Sequence, residues 1–117
     1  MFLITVAMAA VLSPLLAFGG VGRMLRWPMM EQNRERLGLS QQLWTIIGVL
    51  ELAAAGGVLL GLWVPALGLA AAAGVVALMI GALIVHLRNG DDVAGWAPPL
   101  VVAAMAIAYI VTRSLTL

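Results

Sequence analysis

The sequence has no cysteine, a single histidine, and charged residues at only 9% of its 117 positions. Without cysteine there can be no disulfide, no thiolate nucleophile, no thiol redox pair, and no cysteine-ligated zinc or iron–sulfur centre. His86 alone gives no second imidazole for bis-histidine haem ligation within one chain. Neither a metal site nor a bound cofactor is expected, and no residue set reads as catalytic. All six basic residues are Arg, spread over the ends of apolar runs rather than along a stripe, and the net charge is +1. That pattern offers no electrostatic footprint for nucleic acid.

What is present is hydrocarbon. Hydrophobic residues make up 64% of the chain, and a mean hydropathy of +1.13 lies outside the range of water-soluble domains. The expectation is an all-α, polytopic integral membrane protein, a four-transmembrane-helix bundle forming one membrane domain over residues 1–117. The first span is read at about residues 2–22, which carry no charge and, at 1.5 Å per residue, cross a roughly 30 Å core. Its length and the spans that follow argue against a cleaved signal peptide. Pro14 frees the carbonyl of Ala10 and favours a kink.

A polar loop, residues 23–40, follows with Arg23, Arg26, Glu31, Arg34, Glu35 and Arg36. It reads either as a short interfacial helix, with Pro28 at its first position and Met29, Met30 and Leu37 towards lipid, or as an irregular solvated loop. The second span, about 41–62, opens on Ser40 as N-cap with Leu39 and Trp44 placed as a hydrophobic staple. Pro65 opens the third, about 65–87, and a polar turn around Asn89-Gly90 leads to the fourth, about 97–113. Trp27, Trp44, Trp63 and Trp96 all fall at span borders, and Tyr109 is grouped with Trp63, as an aromatic belt would place them. Five Arg on the loops after the first and third spans, against Arg113 alone on the other side, predict both termini outside.

Helix association in lipid relies on close packing of small residues. Gly57 and Gly61 on the second span, with Gly74 and Gly81 on the third, are the expected packing positions, within the bundle before between copies. Glu51 lies 11 residues past Ser40, about 16 Å along the axis and so near mid-bilayer. A carboxylate there costs roughly 2.5 to 3.5 kcal/mol on insertion scales, so Glu51 reads either as a functional acid or as a structural one. The structural version has Glu51 neutral and bonded to Ser13 and the Ala10 carbonyl, with no cation at its depth. His86 reaches the surface of the polar loop, within range of Asp91 and Asp92. Arg23, Arg88 and Asp91 complete the candidate polar set.

Several stretches carry a resemblance: Gly19-Gly20-Val21-Gly22-Arg23, Leu37-Gly38-Leu39-Ser40, Ile47-Gly48-Val49-Leu50-Glu51-Leu52, Leu59-Leu60-Gly61-Leu62 with Pro65, and Gly81-Ala82 with His86-Leu87-Arg88-Asn89-Gly90-Asp91. Together they resemble the DoxX-like family over nearly the whole chain. The resemblance implies a small four-helix protein of the bacterial cytoplasmic membrane whose relatives accompany redox and maturation enzymes. It implies an accessory or assembly subunit of a larger, redox-linked membrane complex more than an enzyme, with another membrane protein or a second copy as partner and no catalytic residues to carry over. The alternative is a small proton-coupled exporter using Glu51, although small multidrug exporters carry their acid on the first helix. A quinone-binding subunit ranks third, because it needs an apolar cleft with polar anchors and Glu51, Trp44 and His86 are not expected to converge.

Overall fold

The structure is a computed structural model and describes residues 1–116. Five helices follow one another: α1 (Phe2–Met24), α2 (Pro28–Leu37), α3 (Gln41–Leu60), α4 (Pro65–Arg88) and α5 (Val93–Leu115). Four of them, α1, α3, α4 and α5, are long and apolar enough to cross a membrane, and no strand occurs among the described residues. The protein is therefore an all-α, four-span membrane bundle with one short extra helix.

Local chemistry sets the helix ends. Ser40 Oγ accepts from the Leu43 amide at 3.1 Å and starts α3. Pro28 and Pro65 occupy first-turn positions of α2 and α4, where a missing N–H leaves no bond unmade. Between the two readings of the polar loop, the structure selects the helix. α2 ends on Gly38, whose φ of 70° only glycine adopts without strain. Its face differs from the expectation: Met29 is exposed but Met30 is buried, because α2 folds back so that Met30 packs at Gly22. The last span begins at Val93, ahead of residue 97, because Asp92 Oδ1 accepts from the Ala94 amide at 3.1 Å and caps the helix there. Pro98 and Pro99 consequently sit in its second turn.

The four long helices form a ring in which α1 packs on α3 and α5, and α4 packs on α3 and α5. The core holds Leu12, Leu16, Val58, Val75 and Tyr109, while Leu3, Phe18, Ile80 and Val111 point outward. Apolar side chains on the outer face are the signature of a bundle solvated by lipid.

Polar contacts tie the helices at fixed heights. Thr5 donates to Thr112 at 2.7 Å, joining α1 to α5. Tyr109 donates to the Val58 carbonyl at 2.7 Å. Arg113 Nε donates to the Gly61 carbonyl at 2.9 Å, covering an acceptor that the end of α3 leaves free. Tyr109 and Arg113 thus belong to the interior, although linear position placed both at the membrane border: α5 turns these two residues inward.

At the α3–α4 turn the two helices nearly touch. A side chain on Gly61 would run into the backbone of Gly68, and one on Gly57 into Ala71. Towards the other end they diverge. Nothing lies within 4 Å of a Cβ built at Gly74 or Gly81, so these two glycines do not form the packing seam expected of them.

Candidate functional site

The divergence of α3 and α4 leaves a cleft of about 480 Å³. Its sides are apolar, built from Leu43, Ile47 and Leu50 of α3 and from Ala77, Leu78, Ala82 and Val85 of α4. Leu37, the last residue of α2, and Leu39 in the link to α3 also line it. Gly74 and Gly81 belong to its α4 wall, where the missing side chains keep it open.

The polar residues that line the cleft are Arg23, Trp44, Glu51 and His86. Arg23 Nη1 lies 2.7 Å from Glu51 Oε1, and the Glu51 side chain is 6% exposed. The arrangement follows from glycines at the α1–α3 crossing. A Cβ on Gly19 would strike both the Glu51 carboxylate and the Arg23 guanidinium, and one on Gly20 would strike the Gly48 carbonyl. Only bare backbone at Gly19, Gly20 and Gly48 lets the helices approach closely enough for an ion pair to lie between them.

This corrects the sequence reading of Glu51. A cation does reach it, because the Arg23 side chain runs back along α1 from the final turn rather than out to water. Ser13 instead donates to the Ala55 carbonyl at 3.1 Å, one turn beyond Glu51 on the same helix. The pairing of α1 with α3 is as the depth argument had it, but the partner residue is not.

Trp44 is 3% exposed, not part of a border belt, and the Arg23 guanidinium stacks over its ring at 4.5 Å. Trp63 is 75% exposed at the α3–α4 turn, and Trp27 packs edge-on against Phe18. Two buried donors here, Arg23 Nε and Trp44 Nε1, have no partner among the described residues.

Beyond the cleft, Asp91 collects several contacts. His86 Nδ1 and Arg36 Nη1 each lie 2.5 Å from its carboxylate, and Asn89 donates to it at 2.9 Å. These hydrogen bonds, with His86 foremost, hold the Asp91 carboxyl down at about 2, against an ordinary 3.8. Asp91 thereby joins α2 to the end of α4. Gly90, with φ 74°, makes the turn that presents it. Arg88 is exposed and makes no ion pair among the described residues.

Of the candidate polar residues, the structure brings Arg23, Glu51 and His86 to one cleft, sets Asp91 behind His86, and leaves Ser13 and Arg88 outside. Trp44 joins them, so Glu51, Trp44 and His86 all line the one cleft. No cluster of His, Asp or Glu with metal-binding geometry occurs among the described residues.

A model of the DoxX-like family matches residues 4–109, nearly the whole chain. No curated protein and no solved structure matches it.

Proposed function

Since the chain belongs to the DoxX-like family, we propose that it is an accessory subunit of a larger membrane complex and that its working part is the α3–α4 cleft, which holds a small amphiphile for that complex. The observation that carries this reading is the cleft itself: a largely apolar cavity of about 480 Å³ whose lining also includes Arg23, Trp44, Glu51 and His86. Cavities of roughly 300–1,000 Å³ with apolar walls and a few converging polar groups are the usual form of small-molecule sites.

Glu51 held by Arg23 at 2.7 Å favours this reading over a proton-coupled exporter, whose acid must be free to exchange its proton with substrate. The quinone-binding reading returns as a special case, now that its anchors share one cavity. The five Arg on the α2 side of the bundle support an orientation with that side inside and both termini outside, in what the family likeness suggests is a bacterial cytoplasmic membrane.

Purification from native membranes in mild detergent, with identification of co-purifying proteins, tests the proposal. A larger membrane protein is expected in constant ratio. Recovery of the chain alone or as a homodimer in every detergent would remove the accessory role.

A further inference from the structure

His86 offers the cleft an open, unpaired polar atom. It continues a row on α4: Gly74, Leu78, Ala82 and His86 follow at intervals of four and all line the cavity, as residues on one helix face do. The row starts mid-helix and ends with His86 in the last turn, at the membrane surface. The His86 side chain is 18% exposed, its Nδ1 is taken by Asp91, and its Nε2 has no partner among the described residues. Nor is Nε2 sealed off without a partner, as Trp44 Nε1 is. The two nitrogens lie on opposite flanks of the ring, so with Nδ1 turned forward to Asp91, beyond the helix end, Nε2 faces back over the row.

Asp91 decides what that atom can do. Bonds from His86, Asn89 and Arg36 hold its carboxyl at about 2, so at neutral pH it is an ionised acceptor and Nδ1 carries the hydrogen between them. In the neutral imidazole the other nitrogen then has a lone pair and no hydrogen. Nε2 therefore accepts, and the cleft calls for a ligand that donates. An ammonium would bring a full charge against walls formed by Leu43, Ile47, Leu78 and Val85, and an amide a second polar group. A hydroxyl donates with neither cost.

We propose that His86 Nε2 is the recognition atom of the cleft and accepts a hydrogen bond from the hydroxyl of a lipid-soluble alcohol or phenol, with Asp91 as the positioning residue that fixes the tautomer. The proposal rests on the cleft being the working site, as argued above, and adds which head group it selects. The apolar body of the ligand lies along the row towards Gly74.

The test uses the full chain labelled with nitrogen-15 histidine in phosphatidylcholine bilayers at neutral pH, where the single histidine makes every imidazole signal that of His86. Two probes share a ring and a ten-carbon chain: 4-decylphenol, and 4-decylanisole, whose methyl ether cannot donate. The free protein is expected to show a protonated Nδ1 and a bare Nε2. The phenol is expected to shift the Nε2 resonance saturably, with half-saturation roughly tenfold below that of the anisole, the worth of one hydrogen bond. Asp91→Asn, whose amide can donate to Nδ1, is expected to move the hydrogen to Nε2 and abolish the preference for the phenol. Gly81→Leu, which fills the cleft from a position with open space around it, is expected to abolish the saturable response.

An Nε2 already protonated in the parent would overturn the assignment, as would a tautomer and preference unchanged by Asp91→Asn, or a saturable response that survives Gly81→Leu. Equal saturation by both probes would overturn the hydroxyl selection while keeping the cleft as a binding site, whereas saturation by neither would remove the cleft as well. The accessory role stands or falls separately, on co-purification.

Discussion

Removing Arg23 should cost more than removing Glu51, and removing both should cost less than removing Arg23 alone. Arg23→Met leaves the Glu51 carboxylate in a site where its side chain is 6% exposed, with its closest cation gone. Breaking a buried pair from one side typically costs about 3–5 kcal/mol. Loss of the stack on Trp44 adds roughly 0.5–2 kcal/mol. Glu51→Met strands a guanidinium instead, but Arg23 lies in the last turn of α1 with its side chain 22% exposed. Its long stem can carry the charge to the membrane surface, so a loss of about 1–2 kcal/mol is expected. The double variant replaces the pair with apolar groups of similar length and should fall within about 1–2 kcal/mol of the parent, as replaced ion pairs often do. Reversible unfolding in mixed micelles with increasing dodecyl sulfate gives all three values and closes a double-mutant cycle. These three values imply a coupling energy of at least about 2.5 kcal/mol, at or above the upper end for groups in one network. Additive losses, with coupling below about 0.5 kcal/mol, would mean that the two side chains do not depend on each other and would refute the buried pair.

Gly57→Leu should lower the melting temperature by several degrees or prevent folding, because the new side chain meets Ala71 across the α3–α4 crossing; an unchanged melting curve would place that face in lipid. Tyr109→Phe should cost about 1–2 kcal/mol by leaving the buried Val58 carbonyl without its donor, read in the same unfolding assay, and no loss would show the bond to be dispensable. The Asp91 carboxyl, held at about 2 against an ordinary 3.8, lends stability that is present above the ordinary value and lost as pH falls through the folded one. The tie between α2 and α4 should therefore be constant from pH 7 to about 4 and weaken between about 4 and 2. An environment-sensitive fluorophore attached at pH 7 to a Leu39→Cys variant, in a chain with no cysteine of its own, follows it on acidification, and the step should vanish when Asp91→Asn is added; a step persisting in that background would assign it to another group.

The four spans could be read from the sequence because each is an apolar run longer than the bilayer core, and that property belongs to single segments. Relations between segments were harder to see. Glu51 was set against the right partner helix, but rise per residue locates a Cα and says nothing of an arginine side chain lying back along its own helix. Trp44 and Tyr109 were assigned to the border by position along the chain, whereas the direction each side chain takes around its helix decides whether it meets lipid or core. Gly74 and Gly81 each close a four-residue small-residue repeat, with Ala70 and Ala77, as Gly61 does with Gly57, yet the first two line a gap and the others close a contact. Spacing alone carries no information on how far apart two helices stand. The glycines at 19, 20 and 48 were visible as letters, but their purpose appears only when the charges they admit are seen between α1 and α3.

The buried pair also bears on the order in which the chain can enter the membrane. As an isolated helix, α3 must carry Glu51 into hydrocarbon at a cost of roughly 2.5–3.5 kcal/mol, drawn from the driving force of an otherwise apolar segment. α1 emerges from the ribosome first and brings Arg23 to the same leaflet. If α1 is still beside the insertion channel when α3 arrives, the two charges meet as α3 leaves water and neither is ever alone in lipid. α4 and α5 carry their arginines, Arg88 and Arg113, only in their last turns and can partition without help. α1 and α3 thus form the obligatory first pair, with α4 and α5 closing the ring afterwards, and a delay that separated α1 from α3 during synthesis would harm this protein more than one falling later.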